Sequence, residues 1–337
     1  MDKNIYLKNG YLNIGYILRF NVPFIFCVGG RGTGKTYGAL KYVLDNKIKF
    51  LYMRRTQSQA DLINRDEFSP FKSICRDSGD IIISKPITKY NSAFFRATQD
   101  GETVIPEGAP IGYTLALSTV SNLRGFDMSD CDILIYDEFI PEQHERPLKN
   151  EAEALFNAYE TINRNRELNG CRPLKVLCLA NANTINNPVF NALGIIDKVY
   201  SMEKSRQAVT INESRGYAII LLSESPISNH KRDTALYKLT RGSEFENMAI
   251  GNSYNVQFNK ESVNIIEYVP LFTVQGITVY QHKNNARLYV TTHKSGGARE
   301  IDTKLYKKQY APLLSDYDAR GFVFYQNLSL REILTQI

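Results

Sequence analysis

The chain has 337 residues, 43% of them apolar and 23% charged, a balance that argues against wholesale disorder and suits a globular protein with a sizeable core. That length corresponds to about two domains. The net charge of +6 permits an anionic partner such as nucleic acid without demanding one. Five cysteines, an odd number with no Cys-x-x-Cys pair, and four scattered histidines speak against a disulfide framework or a zinc cluster. Cys27, Cys131 and Cys178 sit in or beside apolar runs, where cysteine acts as a small hydrophobe, the pattern of a reducing compartment. The first residues, Met1 to Tyr6, carry no leader pattern, and apolar runs such as Ala218 to Leu222 are far too short to span a bilayer. A cytosolic protein without a membrane partner is therefore expected.

In chain order, the dense apolar run Phe24–Val28 ends at glycines and reads as a buried parallel strand. A helix is predicted over Lys35–Asp45, a second buried strand at Phe50–Met53 closed by Arg54-Arg55, and a helix from Ser58 to Phe68 stopped by Pro70. Ile81–Ile83, Ala93–Ala97 and Thr103–Ile105 read as a small antiparallel insertion, with Asp100-Gly101 as its hairpin turn. Tyr113–Leu117, Ile133–Tyr136 and Val176–Ala180 are further strands, and Glu151 to Glu167 has helical apolar spacing at Ala154, Leu155, Ala158 and Ile162. Strands alternating with helices imply an α/β fold whose mostly parallel sheet is covered by helices on both faces. This pattern ends near residue 200. Residues 201–250 read as a connector containing one strand, Tyr217–Leu222, and one helix, Arg232–Leu239. From residue 251 the short strands Ile265–Val269, Leu271–Val274, Ile277–Tyr280 and Leu288–Thr292, then helices near Lys304–Leu313 and Leu330–Ile337, read as a small α+β domain.

Chemistry concentrates at Gly29-Gly30-Arg31-Gly32-Thr33-Gly34-Lys35-Thr36, which matches the Walker A pattern Gly-x4-Gly-Lys-[Ser/Thr] and lies, as that motif requires, between a predicted strand and a predicted helix. Backbone N–H groups of such a loop converge on phosphates, and glycine lets the backbone come close enough. The helix N-terminus adds partial positive charge. Lys35 is then the cation for the β- and γ-phosphates and Thr36 a ligand for Mg²⁺, with Tyr37 beside them at the helix start. For Arg31, phosphate contact and plain solvation are both open.

A second motif, Ile133-Leu134-Ile135-Tyr136-Asp137-Glu138, is an apolar strand ending in two carboxylates. Behind a phosphate loop this is the Walker B position: Asp137 holds Mg²⁺, and Glu138 is the base that activates water. Alone it would read as a solvated acidic pair. No Asn-Lys-x-Asp guanine reader occurs, so ATP hydrolysis coupled to movement is the expectation. Asn181 ends the strand Val176–Ala180 as a candidate γ-phosphate sensor, with an Asx turn as its alternative. Arg164, in Asn163-Arg164-Asn165-Arg166, and Arg124, in Ser121-Asn122-Leu123-Arg124-Gly125, are candidate arginine fingers for a neighbouring subunit, with surface charge as the alternative for each.

Together, Phe24 to Tyr37, Leu51-Tyr52-Met53-Arg54-Arg55, Tyr136 to Ile140, Asn163 to Glu167 and Leu179-Ala180-Asn181-Ala182 resemble the DNA-packaging ATPase of phi29-like tailed phages, within the terminase motor subunits and the additional-strand, catalytic-glutamate class of P-loop ATPases. The resemblance is specific over residues 20–195 and continues more weakly through Gly242-Ser243-Glu244-Phe245 and Ile277–Thr292. It implies a homopentameric ring at the portal of an empty procapsid, working in the host cytoplasm with ATP and Mg²⁺, driving double-stranded DNA inward. A structural RNA adaptor between motor and capsid is left open. It implies trans roles for Arg164 and Arg124, and a ribonuclease H-type fold in the C-terminal domain. The domains expected are thus a P-loop ATPase domain (1–200), a linker region (201–250) and a vestigial nuclease-like domain (251–337).

A working nuclease needs several carboxylates on strand tips. The strands between Leu271 and Thr292 carry no acid, and Glu267, Asp302, Asp316 and Asp318 are scattered, so nuclease activity is not expected. Lys283, Arg287, Lys294 and Arg299 are candidate DNA contacts, with solvated charge equally open. The alternatives carried are an active DNA-cleaving terminase, a helicase or phage-assembly ATPase, and a nucleotide-gated scaffold.

Overall fold

The computed structural model describes residues 4–123, 127–142, 145, 148–182, 185, 187–222, 226–227, 232–243, 259–260, 263–293 and 296–337. Two compact units divide the chain: residues 1–189 with 202–254, and residues 190–201 with 255–337. Among the described residues no helix is long and apolar enough to cross a membrane.

The first unit is built on a nine-stranded sheet of order β3-β4-β5-β2-β6-β7-β1-β9-β8. These strands are β1 (Phe24–Gly29), β2 (Phe50–Arg54), β3 (Ile81–Pro86), β4 (Ser92–Asp100), β5 (Thr103–Ala116), β6 (Ile133–Asp137), β7 (Lys175–Asn181), β8 (Val209–Asn212) and β9 (Tyr217–Leu222). Strands β5, β2, β6, β7, β1 and β9 run parallel, and antiparallel pairs close both edges. The central strands read as continuous apolar runs because both faces are buried: Ile133 to Tyr136, for example, are all at most 3% exposed. Its helices include α1 (Ile14–Ile17), α2 (Lys35–Asp45), α3 (Gln57–Ile63), α4 (Lys72–Ser78) and α5 (Glu151–Asn163). Leu40, Val43 and Leu44 of α2 pack on Ile25, Cys27 and Leu179 in one core, in which Phe50, Phe71 and Phe94 meet as an aromatic cluster.

Several boundaries differ from the sequence pattern. The strands expected at 103–105 and 113–117 are one strand, β5, which pairs with β4 from Thr103 to Thr114 and with β2 on its other side from Gly112 to Ala116. The helix expected over 58–68 stops at Ile63 and resumes as a single 3-10 turn at Asp66–Phe68. The helix expected to reach Glu167 ends at Asn163, because Arg164 turns into the left-handed region at φ 48. Residues 201–222, expected to begin a connector, put β9 into the parallel sheet beside β1, from Phe24↔Tyr217 to Gly29↔Leu222. The sheet therefore runs past residue 200. Sequence periodicity cannot see this, because a strand's partners are chosen in three dimensions.

In the second unit a six-stranded sheet has the order β10-β15-β13-β12-β11-β14. It consists of β10 (Asn259–Lys260), β11 (Tyr268–Val274), β12 (Ile277–His282), β13 (Leu288–Thr291), β14 (Arg299–Glu300) and β15 (Val323–Tyr325). β11, β12 and β13 form an antiparallel meander, flanked by parallel pairing at both ends. Ile265–Glu267, expected in a strand, is a 3-10 turn capped by Asn264, and Leu271 lies in the same strand as Tyr268 across a register shift at Pro270. Proline has no N–H to give a ladder, so a bulge there is the cheaper arrangement. Helical segments at Thr303–Leu305, Ala311–Ala319 and Leu328–Gln336 cover the core around Phe272, Val279, Val290 and Val323. Residues 190–201 belong here in part because the Asp197 carboxylate accepts hydrogen bonds from the Leu328 N–H (3.0 Å) and the Ser329 hydroxyl (3.1 Å).

Candidate nucleotide site

β1, β6 and β7 are adjacent and parallel, so their C-terminal ends bring Gly29, Asp137 and Asn181 to one edge of the sheet. That edge is where open α/β sheets bind ligands. The loop from Gly29 to Thr36 crosses it and opens α2. Two glycines are required by geometry. Gly34, the N-cap of α2, sits at φ 80, and a Cβ there would come within 2.7 Å of the Tyr11 ring. A Cβ on Gly29 would meet Leu222 of β9 at 2.5 Å.

The Lys35 amine is buried under the loop. It donates to the carbonyls of Gly29 (3.0 Å) and Gly30 (2.8 Å), to the Thr33 hydroxyl (3.2 Å) and to Asn181 Oδ1 (3.4 Å). Phosphate oxygens are stronger acceptors than peptide carbonyls, so this amine is poised for an anion. The Thr36 hydroxyl donates to the Asp137 carboxylate at 3.0 and 3.1 Å. A threonine hydroxyl against an aspartate is an all-oxygen pair suited to a hard divalent cation such as Mg²⁺. A cleft of about 210 Å³ joins Gly32, Lys35, Thr36, Asp137, Glu138 and Asn181, so the loop, the acidic pair and the strand tip face one space.

Two side chains that sequence reading left without a role complete the cluster. Tyr52 and Arg54 project from β2, the neighbour of β6. The Tyr52 hydroxyl donates to Asp137 Oδ2 at 2.7 Å, and Arg54 donates to the same oxygen at 3.3 Å and pairs with the Glu138 carboxylate. The only signal in sequence was two arginines closing an apolar strand, which says nothing about what they face. Glu138 lies at φ 58, a left-handed conformation that costs a non-glycine residue on the order of 1–3 kcal/mol and clusters at functional sites. Burial pushes the Glu138 carboxyl above the usual carboxylate value, and the Arg54 cation pulls it partly back. A base shifted toward neutral pH transfers protons more efficiently.

Among the remaining predicted residues, Arg31 pairs with Glu142 in the segment after β6. Tyr37 stands on the first turn of α2 and donates to Asp77 at 2.9 Å. It also borders a second cavity of about 800 Å³, reached past Gly32 and Gly34 and lined by Tyr11, Lys41 and Tyr42. Arg164 pairs with Asp127 at 3.4 Å. Arg166, its neighbour in the motif, donates to the carbonyls of Ser129 and Cys131. Arg124 and Lys294 lie outside the described residues.

In the second unit each of the four scattered acids has a structural partner: Glu267 faces His282 at 3.6 Å, Asp302 caps Leu305, Asp316 pairs with Arg320, and Asp318 with Arg331. Among the described residues no three His, Cys, Asp or Glu side chains gather as a metal-holding group. Lys283 and Arg299 are exposed, and Arg287 lies over the Phe324 ring at 5.0 Å.

The family described as Podovirus DNA encapsidation protein (Gp16) matches residues 1–303. The chain belongs to this family. Among curated relatives, the DNA packaging proteins of Bacillus phages PZA and phi29 are each 23% identical over 315 residues, covering 90% of this chain and 83% of theirs. Among solved structures, the bacteriophage Phi-29 viral genome packaging motor assembly matches with a TM-score of 0.65 at 18% identity, covering 97% of this chain and 98% of that one. The Phi-28 gp11 DNA packaging motor matches with a TM-score of 0.63 at 18% identity, covering 97% and 96%. The chain thus shares the fold of both structures over nearly its whole length.

Proposed function

We propose that this encapsidation protein is an ATP-driven motor that moves double-stranded DNA through the portal into a viral procapsid, working as a homo-oligomeric ring, pentameric as in the resemblance. Family membership supplies the cargo. The observation that supports the engine is the convergence of Lys35, Thr36, Asp137 and Glu138 on one cleft beneath a glycine loop.

The triphosphate would lie along Gly29–Thr36, with loop N–H groups and Lys35 on its phosphates. The base would lie past Gly34 toward Tyr11 and Tyr37. Thr36 and Asp137 are the residues that would hold Mg²⁺, which when bound neutralises charge on the β- and γ-phosphates. Glu138 takes a proton from the attacking water, with Arg54 holding its carboxylate in place. Asn181 reaches the space beside Lys35, as a γ-phosphate sensor would.

Arg164 is the candidate trans finger of its motif, since the Arg166 guanidinium already serves two backbone carbonyls. The same trans role is proposed for Arg124. The second unit is proposed as a ribonuclease H-type domain that does not cut DNA, because its acids serve caps and ion pairs. It docks the motor on the portal or contacts DNA backbone.

The test is ATP-dependent protection of DNA from nuclease with portal-bearing procapsids. Wild type should protect DNA, whereas Lys35→Ala and Glu138→Gln should not, the latter while still binding ATP. Protection by Glu138→Gln would make the protein a nucleotide-gated scaffold instead. Mg²⁺-dependent nicking of plasmid by the full chain would restore the cleaving alternative.

A further inference from the structure

Arg164 occupies an unusual position. It is the C-cap of α5, at φ 48 and ψ −132, where the chain leaves the helix. Its guanidinium lies 3.4 Å from Asp127, and both side chains are open to solvent, 45% and 64% exposed. Asp127 is itself fixed: its Oδ1 accepts the Ser129 N–H at 3.0 Å, and the carbonyl of Ser129 accepts from Arg166. The hydroxyl and N–H of Ser129 hold the Asp127 carboxyl below the usual carboxylate range, so it stays ionised. Ser129, Asp130, Arg164, Arg166 and Arg172 border one polar cavity of about 560 Å³. The anion facing the finger is thus built into the same scaffold that braces Arg166.

We propose that Asp127 is a latch on Arg164: it neutralises the guanidinium in the unengaged subunit and competes with a neighbour's γ-phosphate for it. This rests on the reading of Arg164 as a trans finger. A guanidinium beside a carboxylate offers a phosphoryl group less net positive charge than a lone one, and like charges repel the incoming phosphate. Asp127 touches no nucleotide. It is a positioning residue that acts through Arg164 and makes trans activation depend on close docking of the neighbour.

The experiment is steady-state ATP hydrolysis by the full-length protein assembled on portal-bearing procapsids at saturating ATP, for wild type, Asp127→Asn, Asp127→Ala, Asp127→Glu, Asp130→Asn, Arg164→Ala and Asp127→Asn/Arg164→Ala. Asp127→Asn and Asp127→Ala should raise the rate about two- to five-fold, the size expected from releasing an exposed ion pair. Asp127→Glu should keep the wild-type rate. The rise should vanish in the Arg164→Ala background. Asp130 pairs with Lys49, so Asp130→Asn removes the same charge without touching the finger and should leave the rate within two-fold, about wild type. No rise in Asp127→Asn, an equal rise in Asp127→Glu or Asp130→Asn, or a rise that survives Arg164→Ala overturns the latch. Wild-type activity in Arg164→Ala alone is a separate result: it removes the finger reading, and the latch with it.

Discussion

Replacing Glu151 by Leu should destabilise the first unit more than any surface change. Glu151 and Arg55 have side chains only 0% and 2% exposed. One carboxylate oxygen accepts Arg55 Nε at 2.7 Å and the Tyr136 hydroxyl at 3.2 Å; the other accepts Arg55 Nη2 at 3.1 Å and the Leu148 N–H at 3.0 Å. Removing the acid strips the acceptors of two donors from a buried guanidinium that keeps Glu145 at 2.9 Å. Breaking one side of a buried pair costs about 3–5 kcal/mol, against a typical total stability of about 5–15 kcal/mol. At roughly 2–4 °C per kcal/mol, the melting temperature should fall by about 10 °C. The double variant Arg55→Met/Glu151→Leu removes both charges and should recover at least about 2 kcal/mol of that loss, since an apolar replacement of a whole pair is often near neutral. Urea titrations of the four proteins form the cycle. Should the double variant lose as much as the two singles summed, Arg55 and Glu151 are not an interacting buried pair, and the reasoning fails. The outcome bears on function as well: Glu151 starts the helix whose far end carries Arg164, and Arg55 follows the Arg54 that holds Glu138.

Three further outcomes are expected. In Arg54→Ala the Glu138 carboxyl loses the cation that lowers its pKa, so the acidic limb of the kcat profile should move to higher pH, because the base is active only when deprotonated; an unmoved limb would mean Arg54 does not act on Glu138. Arg164→Ala should abolish hydrolysis in assembled rings and leave the melting temperature unchanged, whereas Arg166→Ala, which strips donors from the Ser129 and Cys131 carbonyls, should lower the melting temperature by a few degrees, ~1 kcal/mol per lost hydrogen bond. In native protein a maleimide should label the exposed Cys171 first, while Cys27 and Cys131, their thiols pushed up to about 12 by burial, should react only on unfolding, as mass spectrometry would read.

Local chemistry carried the phosphate loop and the acidic strand end, because each is a short run whose residues act on their own neighbours. The glycines at 29 and 34, the amine at Lys35 and the carboxylates at 137 and 138 were legible as a set for that reason. That β1, β6 and β7 run parallel followed from apolar runs separated by helical spacing, but their adjacency came only with the folded sheet. The sequence set Tyr52 and Arg54 in a strand run without giving either a role, since their partner Asp137 lies more than eighty positions away and is met only because β2 pairs with β6. The same holds for β9, whose apolar run looked like a lone strand in a connector until pairing with β1 put Leu222 against Gly29.

The sequence by itself marked a candidate phosphate loop and the two carboxylates at a strand end, because a glycine loop and a strand end are local objects. Tertiary structure alone decided which arginine faces which acid: Arg54 on Glu138, Arg55 on Glu151, Arg164 on Asp127. Charges act through space, and the distances that set their partners exist only once the sheet has ordered its strands.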